Sequence, residues 1–157
     1  MLLTTDSSRN WLTMTLAEQR LNSNHGRLVR AARAVPPFAR HVPIEGWGWT
    51  ARDLLAHILA WQEEALRRFR DPHARCLRRE EMDAWNEAAR ERMEDLRWDE
   101  ILTRIEAAHE ALKPFLSDEA PSWLAACTYR HYTEHTRTLL SLGQSPTTTV
   151  VPIAAQL

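Results

Sequence analysis

Two histidines near the carboxyl end of the chain, His131 and His135, have the spacing of a helical metal-binding pair. Residues four apart on an α-helix project from the same face about one turn apart, so two imidazoles can reach one ion. A third histidine, His57, lies inside the apolar stripe of another predicted helix. Bundle proteins often build metal sites where the middles of two helices meet. We therefore predict that His57, His131 and His135 bind one divalent metal ion.

The same residues also have an interpretation without a metal. A His-x-x-x-His pair on a helix arises by chance in many sequences. A lone histidine on an apolar stripe, such as His57, is more often a core residue hydrogen-bonded to a neighbour. Periodicity alone does not show that folding brings His57 to the other two. The metal site is therefore a hypothesis that depends on the fold.

Five stretches with helical periodicity indicate the helices that must position these histidines. In each stretch, apolar residues recur at three- and four-residue steps. Prolines end several of the stretches because proline cannot continue the helical hydrogen-bond ladder. Thr50, followed three residues later by Asp53, resembles a capping box at the start of the second stretch. The predicted helices cover residues 13–34, 50–71, 73–96, 98–115 and 121–142, of which the third is shorter and more exposed.

The fold class that these stretches predict is all-α, since no segment shows the alternation of apolar and polar residues that is typical of a strand. We expect a four-helix bundle with an extra short helix between the second and third long helices. A length of 157 residues fits a single domain, 1–157, with a core over about 13–142. The remaining segment, 143–157, is an apolar tail that is expected to pack along the bundle or against a second subunit.

Charge and cysteine content argue against several functions. A formal net charge of −1 gives no general field that would attract nucleic acid or anionic lipid. The two cysteines, Cys76 and Cys127, do not indicate an oxidising compartment. The amino terminus lacks a secretory pattern, and no apolar stretch is long enough to span a membrane. We therefore expect a cytoplasmic protein that binds neither nucleic acid nor a membrane.

A local cluster of arginines could still bind the phosphate backbone of a nucleic acid, although the chain as a whole has almost no net charge. Acidic residues follow it immediately, so we expect a solvated surface that is paired internally. The cluster consists of Arg67, Arg68, Arg70, Arg75, Arg78 and Arg79, and the acidic residues are Glu80, Glu81 and Asp83. The histidines outside the predicted site show no pairing and are expected to be surface or structural residues; they are His25, His41, His73 and His109.

Two stretches carry a family resemblance: GWGWTARDLLAHILAWQEEAL, and TYRHYTEHTRTLL near the carboxyl end. They resemble the DinB/YfiT-like superfamily, and most of all its ClbS/DfsB-type and mycothiol-dependent maleylpyruvate isomerase-like branches. The family pattern has a tryptophan-threonine start, a leucine-rich helix holding a histidine, and a later helix with H-x-x-x-H. The matching positions are Trp49-Thr50, His57, and His131 with His135. The segments WNEAARERM and IEAAHEAL are also similar, so the resemblance covers roughly residues 13–142.

This resemblance implies a four-helix bundle, usually dimeric, with a three-histidine site for zinc, nickel, iron, manganese or another divalent ion. Relatives include hydrolases, and transferases and isomerases that use a low-molecular-weight thiol. We therefore expect a divalent-metal-dependent enzyme with a small-molecule substrate, acting as a hydrolase or as a thiol-dependent transferase or isomerase. The alternative is a non-enzymatic protein that binds and sequesters a reactive small molecule.

An open site of three imidazoles suits either reaction. It would lower the pKa of a bound water toward neutrality, or hold a thiol as the nucleophilic thiolate. Tyr132 and Glu134 are next to the histidines in sequence, but successive residues on a helix point to different faces. Neither is a strong candidate for a general base. Asp53 is expected to act as a helix cap.

Five residues are candidates for lining a pocket beside the metal site. Tryptophans supply large buried areas, and most of those in this chain are expected to be core residues. Cys127 shares a predicted helix face with His131, where it is a small core residue, a further ligand or a redox-active thiol, whereas Cys76 is interpreted as incidental. The candidate lining residues are Trp47, Trp49, Trp61, Asn86 and Cys127.

Overall fold

The computed structural model describes residues 14–71, 73–117 and 119–144, and this part of the chain is all-α. Three short 3₁₀ segments, Pro37–Ala39, Arg79–Glu81 and Lys113–Phe115, lie between the longer helices. The α-helices are α1 Leu16–Ala34, α2 Ala51–Arg70, α3 Met82–Arg92, α4 Trp98–Leu112, α5 Ser122–Cys127 and α6 Tyr129–Gly143. The all-α class that the sequence predicts is confirmed. Of the predicted tail, only Gly143 and Gln144 lie within the described residues.

Helix α2 begins at the capping box that its sequence predicts. The hydroxyl of Thr50 accepts a hydrogen bond from the backbone N–H of Asp53, and the Asp53 carboxylate accepts from the backbone N–H of Thr50. This exchange satisfies two of the N–H groups that a helix start leaves unpaired. It fixes the register of α2 and therefore the direction in which His57 points.

The core lies where two helix pairs meet. Helix α1 packs along α6 and α2 along α4, and α2 also contacts α3, α5 and α6. Each helix contributes one apolar stripe, as its periodicity requires. The largest fully buried apolar side chains are Leu21, Leu28, Leu54, Leu55, Ile58, Leu59, Ile101, Ile105, Leu112, Leu124 and Leu139. Among the described residues, no helix is long and apolar enough to cross a membrane.

A buried polar contact ties α2, α4 and α6 together. Nε2 of Gln62 donates to the hydroxyl of Tyr132 at 2.7 Å and to the carbonyl of Ile105 at 3.3 Å. Gln62 and Tyr132 are both fully buried. Because buried polar groups need partners, this contact favours one alignment of α2 against α6.

A buried arginine joins α2 to the turn after α3. The side chain of Arg52 donates to the backbone carbonyls of Met93 and Leu96. These carbonyls lie at and beyond the end of α3, where helical partners are missing. The contact holds α3 beside α2, so that α3 forms a wall near His57.

The last predicted helix is not continuous, contrary to the sequence prediction of one helix over 121–142. Thr128 separates α5 from α6, with φ −129° and ψ −108°. Its hydroxyl donates to the carbonyl of Leu124 at 2.6 Å, and its backbone N–H bonds to Ala125 instead. A threonine hydroxyl that takes the carbonyl four residues earlier competes with the helical ladder. Similarly, α3 is shorter than its predicted range of 73–96.

Candidate metal centre

Three histidine side chains converge between α2 and α6. Nε2 of His131 lies 2.8 Å from Nε2 of His57 and 2.8 Å from Nε2 of His135. Each of the three residues is buried, with 8% of its surface exposed. One ligand atom from each lies within 4.8 Å of the others. Folding therefore brings together the three residues that the spacing predicted.

The three Nε2 atoms form a set that hydrogen bonds alone do not satisfy. Each nitrogen of a neutral imidazole is either a donor or an acceptor. Nε2 of His131 has either one proton or one lone pair, so it can make a well-directed hydrogen bond to only one of its two neighbours. A cation at their centre would meet three lone pairs, which is how imidazoles bind tetrahedral metal ions. The residues therefore fit one divalent ion with a coordination position left for another ligand.

Burial keeps these imidazoles in the neutral form that binds metals. It lowers the pKa of His57 to about 3, with a smaller contribution from His135. It also lowers the pKa of His135 to about 4. The pKa of His131 falls well below its usual value, because of burial and then because of the two neighbouring rings. At neutral pH the set can accept a cation without first releasing protons.

The other ring nitrogens depart from the usual pattern of metal sites. Metal-bound histidines commonly donate their second N–H to a carboxylate or carbonyl, which fixes the ring. Nδ1 of His57 and Nδ1 of His131 are buried and have no such partner within the described part of the chain. Packing, rather than a second layer of hydrogen bonds, therefore holds these two rings.

The loop before α2 folds back on itself beside the histidines. Pro43 and Thr50 form an isolated antiparallel bridge, and the backbone N–H of Ile44 bonds to the carbonyl of Trp49. Gly46 and Gly48 have φ values of +79° and +72°. Glycine adopts this left-handed region without the clash that a Cβ would cause. The two glycines therefore allow the reversal that presents the tryptophans of the loop to the site.

The two tryptophans of this loop contact the histidines edge-on. The ring centroids of Trp47 and His135 are 5.8 Å apart, and those of Trp49 and His57 are 5.3 Å apart. Nε1 of Trp49 also donates to Glu87 at 2.9 Å, which ties the loop to α3. Trp47 and Trp49 cover two of the imidazoles, but neither lines the cavity that opens onto the site.

An open cavity of about 480 Å³ leads to the three histidines. Its walls include Trp61, Asn86 and Cys127, which sequence reasoning also placed at a pocket. Nε1 of Trp61 donates to Oδ1 of Asn86 at 3.2 Å, and Trp85 packs against Trp61 at 4.6 Å between ring centroids. These contacts join α2 to α3 along one wall. The size and the aromatic wall suit a small molecule.

The two cysteines lie on the wall of the same cavity. Cys127 is buried, and burial raises the pKa of its thiol to about 11. A thiol with such a pKa stays protonated at neutral pH and is a weak nucleophile. Cys76 is exposed, and its place on the wall differs from the sequence interpretation of an incidental residue. The loop between α2 and α3 carries it there, and no periodicity in that loop indicates this position.

The two neighbours of the histidine pair point in different directions. Tyr132 is fully buried and bonds to Gln62, as expected for a residue that faces away from the site. Glu134 is exposed and lies on the cavity wall together with His131 and His135. It is the one carboxylate among the residues lining this cavity. Sequence reasoning discounted it because neighbours on a helix point to different faces, but the cavity is wide enough to reach Glu134 as well.

The basic cluster is largely paired, as the sequence indicates. Arg75 and Arg78 bond to Glu81. A partner that the sequence did not indicate is Glu64, a buried residue of α2 that bonds to both Arg67 and Arg68. Burial raises the pKa of Glu64, but the two guanidinium groups more than offset this and hold it below its usual value.

Sequence reasoning missed a second histidine pair. His25 of α1 and His109 of α4 are stacked, with ring centroids 3.7 Å apart and planes 6° from parallel. Burial lowers the pKa of His25 to about 4 and, together with His25, the pKa of His109 to about 3. The two residues were expected to be unpaired, because nothing in their spacing links residues on separate helices.

Over the described residues, fold and site together define an all-helical structure in which three buried histidines lie close enough to hold one metal ion. No family model, curated protein or solved structure matches the chain.

Proposed function

We propose that this chain is a divalent-metal-dependent enzyme that acts on a small molecule. The observation that carries the proposal is the convergence of Nε2 of His57, His131 and His135 at the end of an open cavity. Structural metal sites are closed by four protein ligands, whereas catalytic sites keep a position free. Three histidines next to a cavity support the second arrangement.

A four-helix bundle of the DinB/YfiT-like type is the architecture we propose. The four longest helices, α1, α2, α4 and α6, are its members, and α3 is the extra short helix between the second and third. The packing of α1 on α6 and of α2 on α4 supports this assignment. So does the order of the Trp49-Thr50 start, His57 and the His131–His135 pair along the chain.

The chemistry we propose is hydrolysis, or the transfer or isomerisation of a substrate with a low-molecular-weight thiol. An ion held by three neutral imidazoles would act as a Lewis acid and lower the pKa of a water or thiol beside it. Glu134 would accept the proton from that nucleophile, since it is the carboxylate on the cavity wall. Cys127 stays protonated, which favours an external nucleophile over a covalent step on this thiol.

Two assays on zinc-, nickel-, iron- or manganese-loaded protein would separate these reactions. Release of p-nitrophenol from p-nitrophenyl acetate reports hydrolysis. Conjugation of 1-chloro-2,4-dinitrobenzene with added L-cysteine or glutathione reports thiol transfer. We expect one of these activities to need the metal and to be lost in His131→Ala. Equal rates for His131→Ala and the unaltered protein would overturn the proposal.

Sequestration of a small molecule, without catalysis, is the second candidate. The apolar part of the cavity wall favours it, because Trp61, Leu77 and Met82 can bind an apolar molecule without a metal. Equilibrium dialysis with 8-anilinonaphthalene-1-sulfonate, before and after removal of metal by a chelator, distinguishes the two. Equal binding in both states, with no turnover in either assay, would favour sequestration.

We also propose a homodimer, which the resemblance implies. The chain has a mass of 18.2 kDa, so sedimentation equilibrium should give twice that value. A monomer at micromolar concentration would contradict this part of the proposal and leave the metal site unaffected.

A further inference from the structure

Arg68 lies on the wall of the cavity that leads to the three histidines. It follows His57 on α2 by about three helical turns, so the two residues lie on the same helix face. Both line the cavity, and the side chain of Arg68 is 7% exposed. A guanidinium that is buried at the wall of a cavity is costly to keep unless it meets an anion.

The anion already beside Arg68 satisfies only part of its charge. Nε of Arg68 donates to Glu64 at 2.8 Å, but the same carboxylate also receives two hydrogen bonds from Arg67. Two guanidinium groups therefore share the Glu64 carboxylate, and Asp71 adds a negative charge beside Arg67. The Nη atoms of Arg68 have no hydrogen-bond acceptor among residues 14–71, 73–117 and 119–144. These N–H groups are therefore available to a ligand.

An aromatic ring holds the Arg68 guanidinium in place. Its Cζ atom lies 5.1 Å from the ring centroid of Trp123, a distance that allows a cation–π contact. Trp123 is itself a wall residue of the cavity. With Nε bound to Glu64 and one face on Trp123, the Nη1–Nη2 edge remains, and two parallel N–H groups match the two oxygens of a carboxylate.

The distance between Arg68 and the histidines limits the length of the ligand. Three turns of helix separate the Cα atoms of His57 and Arg68 by about 16 Å along the axis. Nε of Arg68 bonds to Glu64, one turn nearer to His57, so the guanidinium lies on the order of 10 Å from the His57 level along the helix axis. Apolar residues, including Trp61 and Leu77, line the cavity together with these two residues.

We propose that the cavity takes an elongated substrate with an apolar body and a terminal carboxylate, which Arg68 binds while the other end lies at the three histidines. The assignment of the reacting end rests on the proposed function, whereas the carboxylate contact does not require a metal. Arg68 is thus a specificity residue. Glu134, the acidic residue of the cavity wall, is adjacent in sequence to His135. The negative charge of the wall is therefore at the histidine end of the cavity, and the positive charge of Arg68 is at the other end.

Calorimetric titration with two matched pairs of probes tests this inference. Zinc-loaded protein is titrated with ω-mercaptooctanoate and with ω-mercaptooctanol, which differ only in the carboxylate. Metal-free protein is titrated with octanoate and with octanol. A charged hydrogen-bonded pair corresponds to roughly ten- to a hundredfold in affinity, and we expect the acid of each pair to bind more tightly by that factor.

Two variants identify the residue responsible. In Arg68→Gln the preference for the acid should disappear, while the alcohols bind as before. Arg70→Gln is the matched control, because Arg70 is an exposed arginine of the same helix that neither shares the Glu64 carboxylate nor lines the cavity. It should keep the full preference. Arg68→Gln should fold, because Glu64 retains both hydrogen bonds from Arg67.

Failure of this inference differs from failure of the proposed function. If Arg68→Gln keeps the preference for the acid, or if unaltered protein shows none, Arg68 does not bind a carboxylate, whatever the zinc content. If the protein binds no zinc but metal-free protein prefers octanoate through Arg68, the carboxylate contact stands and the metal-dependent function does not.

Discussion

Nε2 of His57 lies 2.8 Å from Nε2 of His131, although 74 positions separate the two residues in the chain. The contact exists because α2 and α6 pack together, and the bond from Gln62 to Tyr132 favours one alignment of these two helices. The candidate site is therefore a property of the folded chain as a whole.

Removal of one histidine from the set should abolish metal binding. We expect unaltered protein to bind one Co²⁺ or Zn²⁺ per chain, and His131→Ala to bind less than a tenth as much. At a metal concentration a hundred times Kd, the free energy of unfolding should rise by about 2.7 kcal/mol in the unaltered protein. Inductively coupled plasma analysis and urea unfolding measure the two effects.

His41→Ala is the matched control for that experiment. His41 is exposed and lies outside the cluster, so the variant should keep both the metal content and the stabilisation by metal. An equal loss in both histidine variants would mean that metal binds elsewhere on the chain.

Loss of the Tyr132 hydroxyl should destabilise the protein without emptying the metal site. In Tyr132→Phe, Nε2 of Gln62 keeps only its 3.3 Å contact with the carbonyl of Ile105. A buried group that loses its main partner costs about 1–3 kcal/mol. Urea unfolding should show this cost, and metal content should stay near one per chain. Tyr129→Phe, which changes a half-buried tyrosine, should cost less than about 0.5 kcal/mol.

Acid should destabilise the protein through the stacked pair, His25 and His109. Both pKa values are lowered on folding, from the usual value of 6.5 to about 4 and about 3. Below pH 6.5 the unfolded chain takes up protons that the folded chain does not, so stability present above that pH is lost as the pH falls toward 4. Each such proton gives a slope of about 1.4 kcal/mol per pH unit.

Charged neighbours act on the stacked pair in opposite directions. Glu110 raises the pKa of His25, whereas Lys113 lowers the pKa of both histidines. The measurement is urea unfolding of metal-free protein between pH 4 and 7. The three clustered histidines add a slope of the same sign, which is common to the unaltered protein and to a variant of the stacked pair. His25→Gln should reduce the slope. An unchanged slope in this variant would show that other groups cause the acid sensitivity.

Two glycine-to-alanine changes should have effects of opposite sign. Gly48→Ala adds a Cβ where φ is +72°, and although the space is free, the backbone conformation costs about 1 kcal/mol or more. Strain in this loop should also weaken the contact of Trp49 with His57 and lower metal affinity severalfold. Gly26→Ala, inside α1, meets only the far end of Arg30 at 3.4 Å and should stabilise by roughly 0.5–1 kcal/mol. Thermal unfolding and cobalt titration give both results.

Much of the fold could be predicted from the sequence because it depends on local signals. Apolar spacing located the long helices, and Thr50 with Asp53 marked the start of α2. The pair His131 and His135 required only helix periodicity. Helix periodicity does not show that His57 contacts them, because that contact joins two separate helices. The family resemblance was what favoured it.

The features that sequence reasoning missed depend on single contacts between distant residues. The stack of His25 on His109 joins α1 to α4, and the burial of Arg68 depends on Glu64 and Trp123. Trp47 and Trp49 were expected beside the site, but their edge-on contacts with His135 and His57 depend on a loop with two left-handed glycines. No periodicity or residue spacing in the sequence indicates these contacts.

Because α6 starts anew after Thr128, His131 is the third residue of a helix rather than a residue in the middle of one. Backbone dipoles add up to a partial positive charge at a helix N-terminus, which repels an imidazolium and attracts an anion. The interruption thus places a metal-ligand candidate where the backbone itself opposes protonation. The same field would favour a negatively charged nucleophile, whether hydroxide or thiolate, at the histidine cluster.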